Sequence, residues 1–113
     1  MSGLTTHILD TMHGRPAAGV TLRLKRGGEV VAQALTNVDG RCDAPLLTAE
    51  TATPGAYRLE FDIGDYYREF GVKLPEPAFL DVVAIEFGIA DPKAHYHVPL
   101  LVSPYGYSTY RGS

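Results

Sequence analysis

Cysteine is nearly missing from this chain. Cys42 is the only one, so no internal disulfide can form and no second thiol is present for redox exchange. A basic excess is missing as well: ten Lys and Arg stand against thirteen Asp and Glu, for a net charge of −3. That balance argues against a nucleic-acid binder, which normally carries a basic face. It says little about small anionic ligands, for which three or four local groups decide. No stretch approaches the roughly 20 apolar residues that span a bilayer. Met1 to His7 also lacks the basic region and apolar run of a secretory signal. These absences lead to the expectation of a cytoplasmic protein with neither membrane nor nucleic acid as partner.

What is present is a strand pattern. The 113 residues, 45% of them hydrophobic, fit one globular domain, taken as 1–113. The dominant period is two rather than 3.6. Val20, Leu22 and Leu24 alternate with Thr21, Arg23 and Lys25, Gly27-Gly28 offers a tight turn, and Val30 to Leu35 reads as the returning strand of a hairpin. Leu4 to Asp10, Tyr57 to Ile63, Phe79 to Ile89, His97 to Val102 and Tyr107 to Arg111 read as further strands. Tyr66 to Phe70 is the one plausible helix, with Asp65 as N-cap and Gly71 as stop. About seven strands, each with one apolar face, predict an all-β fold: a two-sheet antiparallel sandwich with one short helix.

The polar residues leave several chemistries open. His13 sits in a Gly- and Pro-containing loop and reads as a surface or structural group. On an extended strand His7 shares a face with Thr5 and Leu9. His95 and His97, two apart, point the same way, a spacing found in metal sites; with His7 they make a possible three-histidine zinc site. The same imidazoles could equally be structural, or form a metal-free pair in which one takes a proton from water, a role that a reference pKa of ~6.5 suits. Arg41 follows the Asp39-Gly40 turn, and its forked, permanently charged guanidinium suits a planar anion or a polarised carbonyl. Its alternative reading is an ordinary surface arginine. Cys42 reads as a small apolar filler. The C-terminal run Ser103 to Ser113 holds three tyrosines and an arginine, an unusual composition for a loose tail.

Nearly the whole chain resembles the transthyretin-related 5-hydroxyisourate hydrolases. The resemblance rests on Leu4-Thr5-Thr6-His7-Ile8-Leu9-Asp10, Gly14-Arg15-Pro16-Ala17, Thr36-Asn37-Val38-Asp39-Gly40-Arg41-Cys42, Pro54-Gly55-Ala56-Tyr57, His95-Tyr96-His97-Val98-Pro99-Leu100-Leu101 and Tyr110-Arg111-Gly112-Ser113. The Asp-Gly turn and the Pro-Gly-x-Tyr strand start mark only the fold. The His-Tyr-His-Val-Pro-Leu segment and the terminal Tyr-Arg-Gly-Ser are more specific, and they separate the enzymes from the related hormone carriers. Arg68 to Ala90 carries no matching motif.

The resemblance implies a transthyretin-like sandwich and a metal-free, cofactor-free enzyme of urate degradation. Water would open the ring of 5-hydroxyisourate at an amide to give 2-oxo-4-hydroxy-4-carboxy-5-ureidoimidazoline. Carried over residue by residue, His7, Arg41, His97 and Ser113 match the catalytic set. His7, Arg41 and Tyr110 match positions that contact substrate. The family comparison also implies a homotetramer with sites at subunit interfaces, which a polar, tyrosine-rich last strand could support.

Overall fold

The computed structural model describes residues 3–112. In chain order these form β1 (Gly3–Asp10), β2 (Arg15–Pro16), β3 (Thr21–Arg26), β4 (Glu29–Leu35), β5 (Gly55–Asp62), α1 (Ile63–Phe70), β6 (Val82–Ile89), β7 (His95–Ser103) and β8 (Gly106–Thr109). The strands make two four-stranded sheets, ordered β2-β1-β7-β8 and β4-β3-β5-β6. All ladders are antiparallel except β1 with β7, which run parallel in the centre of the first sheet. A parallel pair requires a long connection, and here the entire second sheet and the helix lie between its strands.

The period-two pattern produces the core. Leu4, Ile8, Leu100 and Val102 on one inner face, and Leu22, Leu24, Leu59, Phe61 and Val83 on the other, are all buried. At ~25 cal/mol per Å² of apolar surface, this shared face is the main favourable term holding the sheets together. The expected hairpin is present as β3 and β4, joined by Gly27 and Gly28, both with positive φ. The pairing has a bulge between Leu24 and Lys25.

The helix begins three residues earlier than the alternating pattern suggests. Asp62 holds the N-cap position without a side-chain hydrogen bond, so Asp65 is not the cap. Instead the amides of Ile63 and Gly64 both donate to the Asp81 carbonyl, at 2.9 Å each. This tertiary cap satisfies orphan donors that a side chain usually takes. It also delays β6: the segment from Phe79 to Asp81 serves the helix end, and the strand starts at Val82. The stop is as expected, with Gly71 left-handed at φ 96°. No helix among the described residues is long and apolar enough to cross a membrane.

Candidate active site

The parallel register of β1 and β7 creates the site. It places Gly3 opposite His95, Thr5 opposite His97 and His7 opposite Pro99. Leu4, Thr6 and Ile8 of β1 and Tyr96 and Val98 of β7 are buried. Strand alternation therefore turns Thr5, His7, His95 and His97 to the outer face of the sheet. The expected sharing of a face by His7 and Thr5 is met, and β7 adds both of its histidines to that face.

The His97 ring is held from two sides. Its Nδ1 lies 2.8 Å from Thr5 Oγ1, and the same hydroxyl lies 3.3 Å from His95 Nε2. From the other side, the Gly112 amide donates to the His97 carbonyl at 2.7 Å. A Cβ on Gly112 would stand 2.8 Å from His97 Cδ2, so only glycine fits at this position without shifting the ring. Arg111 adds a second tether: Nη2 donates to the His95 carbonyl at 3.2 Å, and the guanidinium stacks 4.1 Å over the Tyr96 ring. The segment up to Gly112 is thus fastened along β7 rather than fraying.

Arg41 reaches the site through a turn. Asn37 accepts the amides of Asp39 and Arg41 on its side-chain oxygen, at 2.9 and 3.2 Å, and its own amide donates to the Arg41 carbonyl at 2.8 Å. The turn docks on the free edge of β1, where the Ile8 amide donates to the Gly40 carbonyl at 2.8 Å and His7 bridges to Arg41. Gly40, at φ 73°, sits too close to the Ile8 carbonyl for any Cβ. Arg41 is exposed and makes no ion pair among the described residues, which leaves its guanidinium available.

The electrostatics favour neutral imidazoles. Burial holds the His7 ring below its ordinary pKa and the Arg41 charge lowers it further, with Asp39 opposing. Burial likewise lowers His97, helped by Arg41, His7 and His95 and opposed by the Thr5 main chain. Both rings are therefore biased toward the neutral, basic form. His95 turns Nε2 to Thr5, while its Nδ1 is buried without a partner. Among the described residues, no three His, Cys, Asp or Glu side chains are grouped to hold a metal ion.

Of the residues singled out from the sequence, the structure brings His7, Arg41 and His97 together. Tyr110 is not with them. It is 60% exposed and lines a cavity of about 240 Å³ with Tyr96, Val98 and Arg111 against β6. Ser113 lies outside the described residues. Sequence reasoning missed Thr5, Asn37 and Gly112. Asn37 had a signal in its place two residues before the Asp-Gly turn, where its side chain can mimic a backbone turn. Thr5 had none, because its role depends on a strand some ninety residues away. His13 is more tightly held than a loop position suggested, with Nδ1 2.5 Å from Asp10 Oδ2.

Comparison with known proteins gives concordant results. The model of the HIUase/Transthyretin family matches residues 4–112. A Pseudomonas aeruginosa relative described as 5-hydroxyisourate hydrolase is 58% identical over an alignment that takes in all of this chain and 93% of the relative. The solved structure of Klebsiella pneumoniae 5-hydroxyisourate hydrolase superposes with a TM-score of 0.85 at 39% identity, covering all of both chains. Sea bream transthyretin in complex with thyroxine gives 0.82 at 31%, over 96% of this chain and 93% of the other.

Proposed function

The chain belongs to the HIUase/Transthyretin family, and from that premise we propose that it is a hydrolase opening 5-hydroxyisourate to 2-oxo-4-hydroxy-4-carboxy-5-ureidoimidazoline, without a metal. The observation that carries the reading is the meeting of two neutral histidines, His7 and His97, with the free guanidinium of Arg41 on one sheet face. Support also comes from the higher identity to hydrolases than to the thyroxine-bound transthyretin.

The chemistry follows from the groups. Amide hydrolysis needs a base for water, a stabiliser for the charge that develops on the attacked carbonyl oxygen, and a means of orienting the ring. An imidazole with its basic nitrogen bare at neutral pH takes the water proton, a role worth ~10²–10⁴ in rate. Arg41 pairs with the ring's oxygens and stabilises the developing oxyanion, and the reacting charge meets a donor already in place. Ser113 would contribute its hydroxyl to hold the water or an imidazole. Tyr110 follows the end of β8 and lines a cavity with Tyr96 and Val98, residues that alternate away from the histidine face, so it would contact substrate only across a subunit interface, in keeping with a homotetramer. The exposed edges β6 and β8 are available for such an assembly.

The test is to generate 5-hydroxyisourate in situ with urate oxidase and follow its ultraviolet decay. Added protein is expected to speed the decay well beyond the spontaneous rate. Decay at the spontaneous rate, from folded protein, contradicts the reading and favours a ligand carrier on the same sandwich.

A further inference from the structure

The hydroxyl of Thr5 has a single hydrogen and stands between two ring nitrogens, 2.8 Å from His97 Nδ1 and 3.3 Å from His95 Nε2. We propose that Thr5 is a positioning residue that fixes the tautomer of His97, with His95 receiving the Thr5 proton. The proposal rests on the hydrolase reading and names how its base is kept competent.

Two arrangements use both contacts and spend the Thr5 hydrogen between the rings; a third, with both rings donating to Thr5, leaves that hydrogen to neither. In the first, His97 Nδ1–H donates to Thr5, and Thr5 donates to a bare His95 Nε2. His97 Nε2 is then bare and can take a proton from water. In the second, His95 Nε2–H donates to Thr5, and Thr5 donates to a bare His97 Nδ1. His97 then carries its hydrogen on Nε2 and cannot act as a base there. The two rings are coupled through one proton, because an imidazole is donor at one nitrogen and acceptor at the other.

His95 itself does not select between them. Its buried, unpartnered Nδ1 is an orphan donor in the first arrangement and an orphan acceptor in the second, and either is penalised. The hydrolase reading selects: a ring that takes a proton from water needs Nε2 bare, which the first arrangement supplies. Nε2 adjoins Cδ2, the ring atom packed against Gly112, so the bare nitrogen lies along the C-terminal segment rather than toward Thr5.

Removing His95 as acceptor frees the Thr5 hydrogen to turn to His97 Nδ1 and favours the wrong tautomer. Removing the hydroxyl abolishes the coupling altogether. His95 and Thr5 therefore act through His97 and need not touch substrate.

The experiment pairs imidazole nitrogen NMR with steady-state kinetics on the full chain. Two-bond 1H–15N spectra distinguish a hydrogen-bearing ring nitrogen from a bare one. In the wild type His97 is expected to show hydrogen on Nδ1 and a bare Nε2. Thr5→Val and His95→Leu should lose that preference and lower kcat by about tenfold to a hundredfold, part of what a positioned base contributes, with KM little changed. Thr5→Ser, which keeps the hydroxyl, should retain both the spectrum and the rate. A wild-type His97 protonated on Nε2, or a Thr5→Val protein with unaltered His97 nitrogens and kcat, overturns the proposal. A wild type that does not accelerate 5-hydroxyisourate decay defeats the hydrolase reading instead, and the spectra still decide the tautomer.

Discussion

Strand β1 carries two polar clusters three residues apart that are built from similar groups to opposite ends. Around His7 the polar atoms are left in reserve: Arg41 has no ion pair among the described residues, and burial keeps the imidazoles neutral. Around Asp10, at the strand's end, nothing is left over. The Asp10 carboxylate is 1% exposed and accepts hydrogen bonds from the hydroxyls of Tyr66 and Tyr67 at 2.8 Å each, from the amides of Met12 and His13 at 3.0 and 3.2 Å, and pairs with His13 Nδ1. Burial alone would raise its pKa, but these donors reverse the sign and hold it low. Burial and the nearby carboxylate push both tyrosines up. A histidine paired to a buried carboxylate is a familiar catalytic motif, but here His13 stacks on Phe70 at 4.0 Å and the arrangement ties α1 to β1. The difference between a site and a brace lies in unspent hydrogen-bonding capacity, not in residue type.

Exchanging the roles tests the contrast. The largest effect is expected for His97→Asn, which should lower kcat by ~10²–10⁴ while leaving the denaturation midpoint near wild type; stopped assays and a urea titration on one preparation report both. Asp10→Ala should do the reverse. It strands the Tyr66 hydroxyl inside the protein, leaves Tyr67 only the Val102 carbonyl, and should cost about 3–5 kcal/mol of stability, read by chemical denaturation, with the specific activity of the folded fraction retained. Gly112→Ala, which drives a methyl against His97, should cut kcat by about tenfold, on the order of 1.4 kcal/mol in the barrier, and be visible as a shift of the His97 ring resonances.

The pH profile sharpens the comparison further. Since the folded pKa values of His7 and His97 lie below the ordinary value, activity should persist as pH falls through ~6.5 and decline only at lower pH. Their protonation also penalises the folded state. Their contribution to stability is therefore lost as pH falls below the unfolded value and levels off beneath the folded one. Asp10 has the same sense in a more acidic window: its depressed pKa contributes stability above the unfolded carboxylate value and loses it on further acidification. The smallest effect is expected for Glu60→Gln on the outer face of the second sheet. Arg58, Arg23 and Lys25 outweigh its burial and hold its carboxyl at about 2. The change should leave activity untouched and remove a little stability that the wild type itself loses between its ordinary value and about 2.

Much of the fold is legible from alternation, because a period of two with a Gly-Gly turn admits few alternatives at β3 and β4. The helix start was not legible, since its cap is the carbonyl of Asp81, which local sequence cannot supply. At the site, His7 and His97 stand out by type and by resemblance, and the strand period places each on the correct face. Their meeting depends on a parallel register between distant strands, and the delivery of Arg41 depends on how a turn docks at the β1 edge. Thr5, an unremarkable residue in sequence, becomes visible only once that register is known. Tyr110 shows the converse: a residue prominent in sequence that stands apart from the histidines within one chain.

The most direct measurement is the decay of 5-hydroxyisourate under wild-type protein and under His97→Asn at matched folded concentration. The account predicts rapid decay with the former and loss of nearly all acceleration with the latter. Comparable acceleration by both would contradict the assignment of the reaction to the histidine face of β1 and β7.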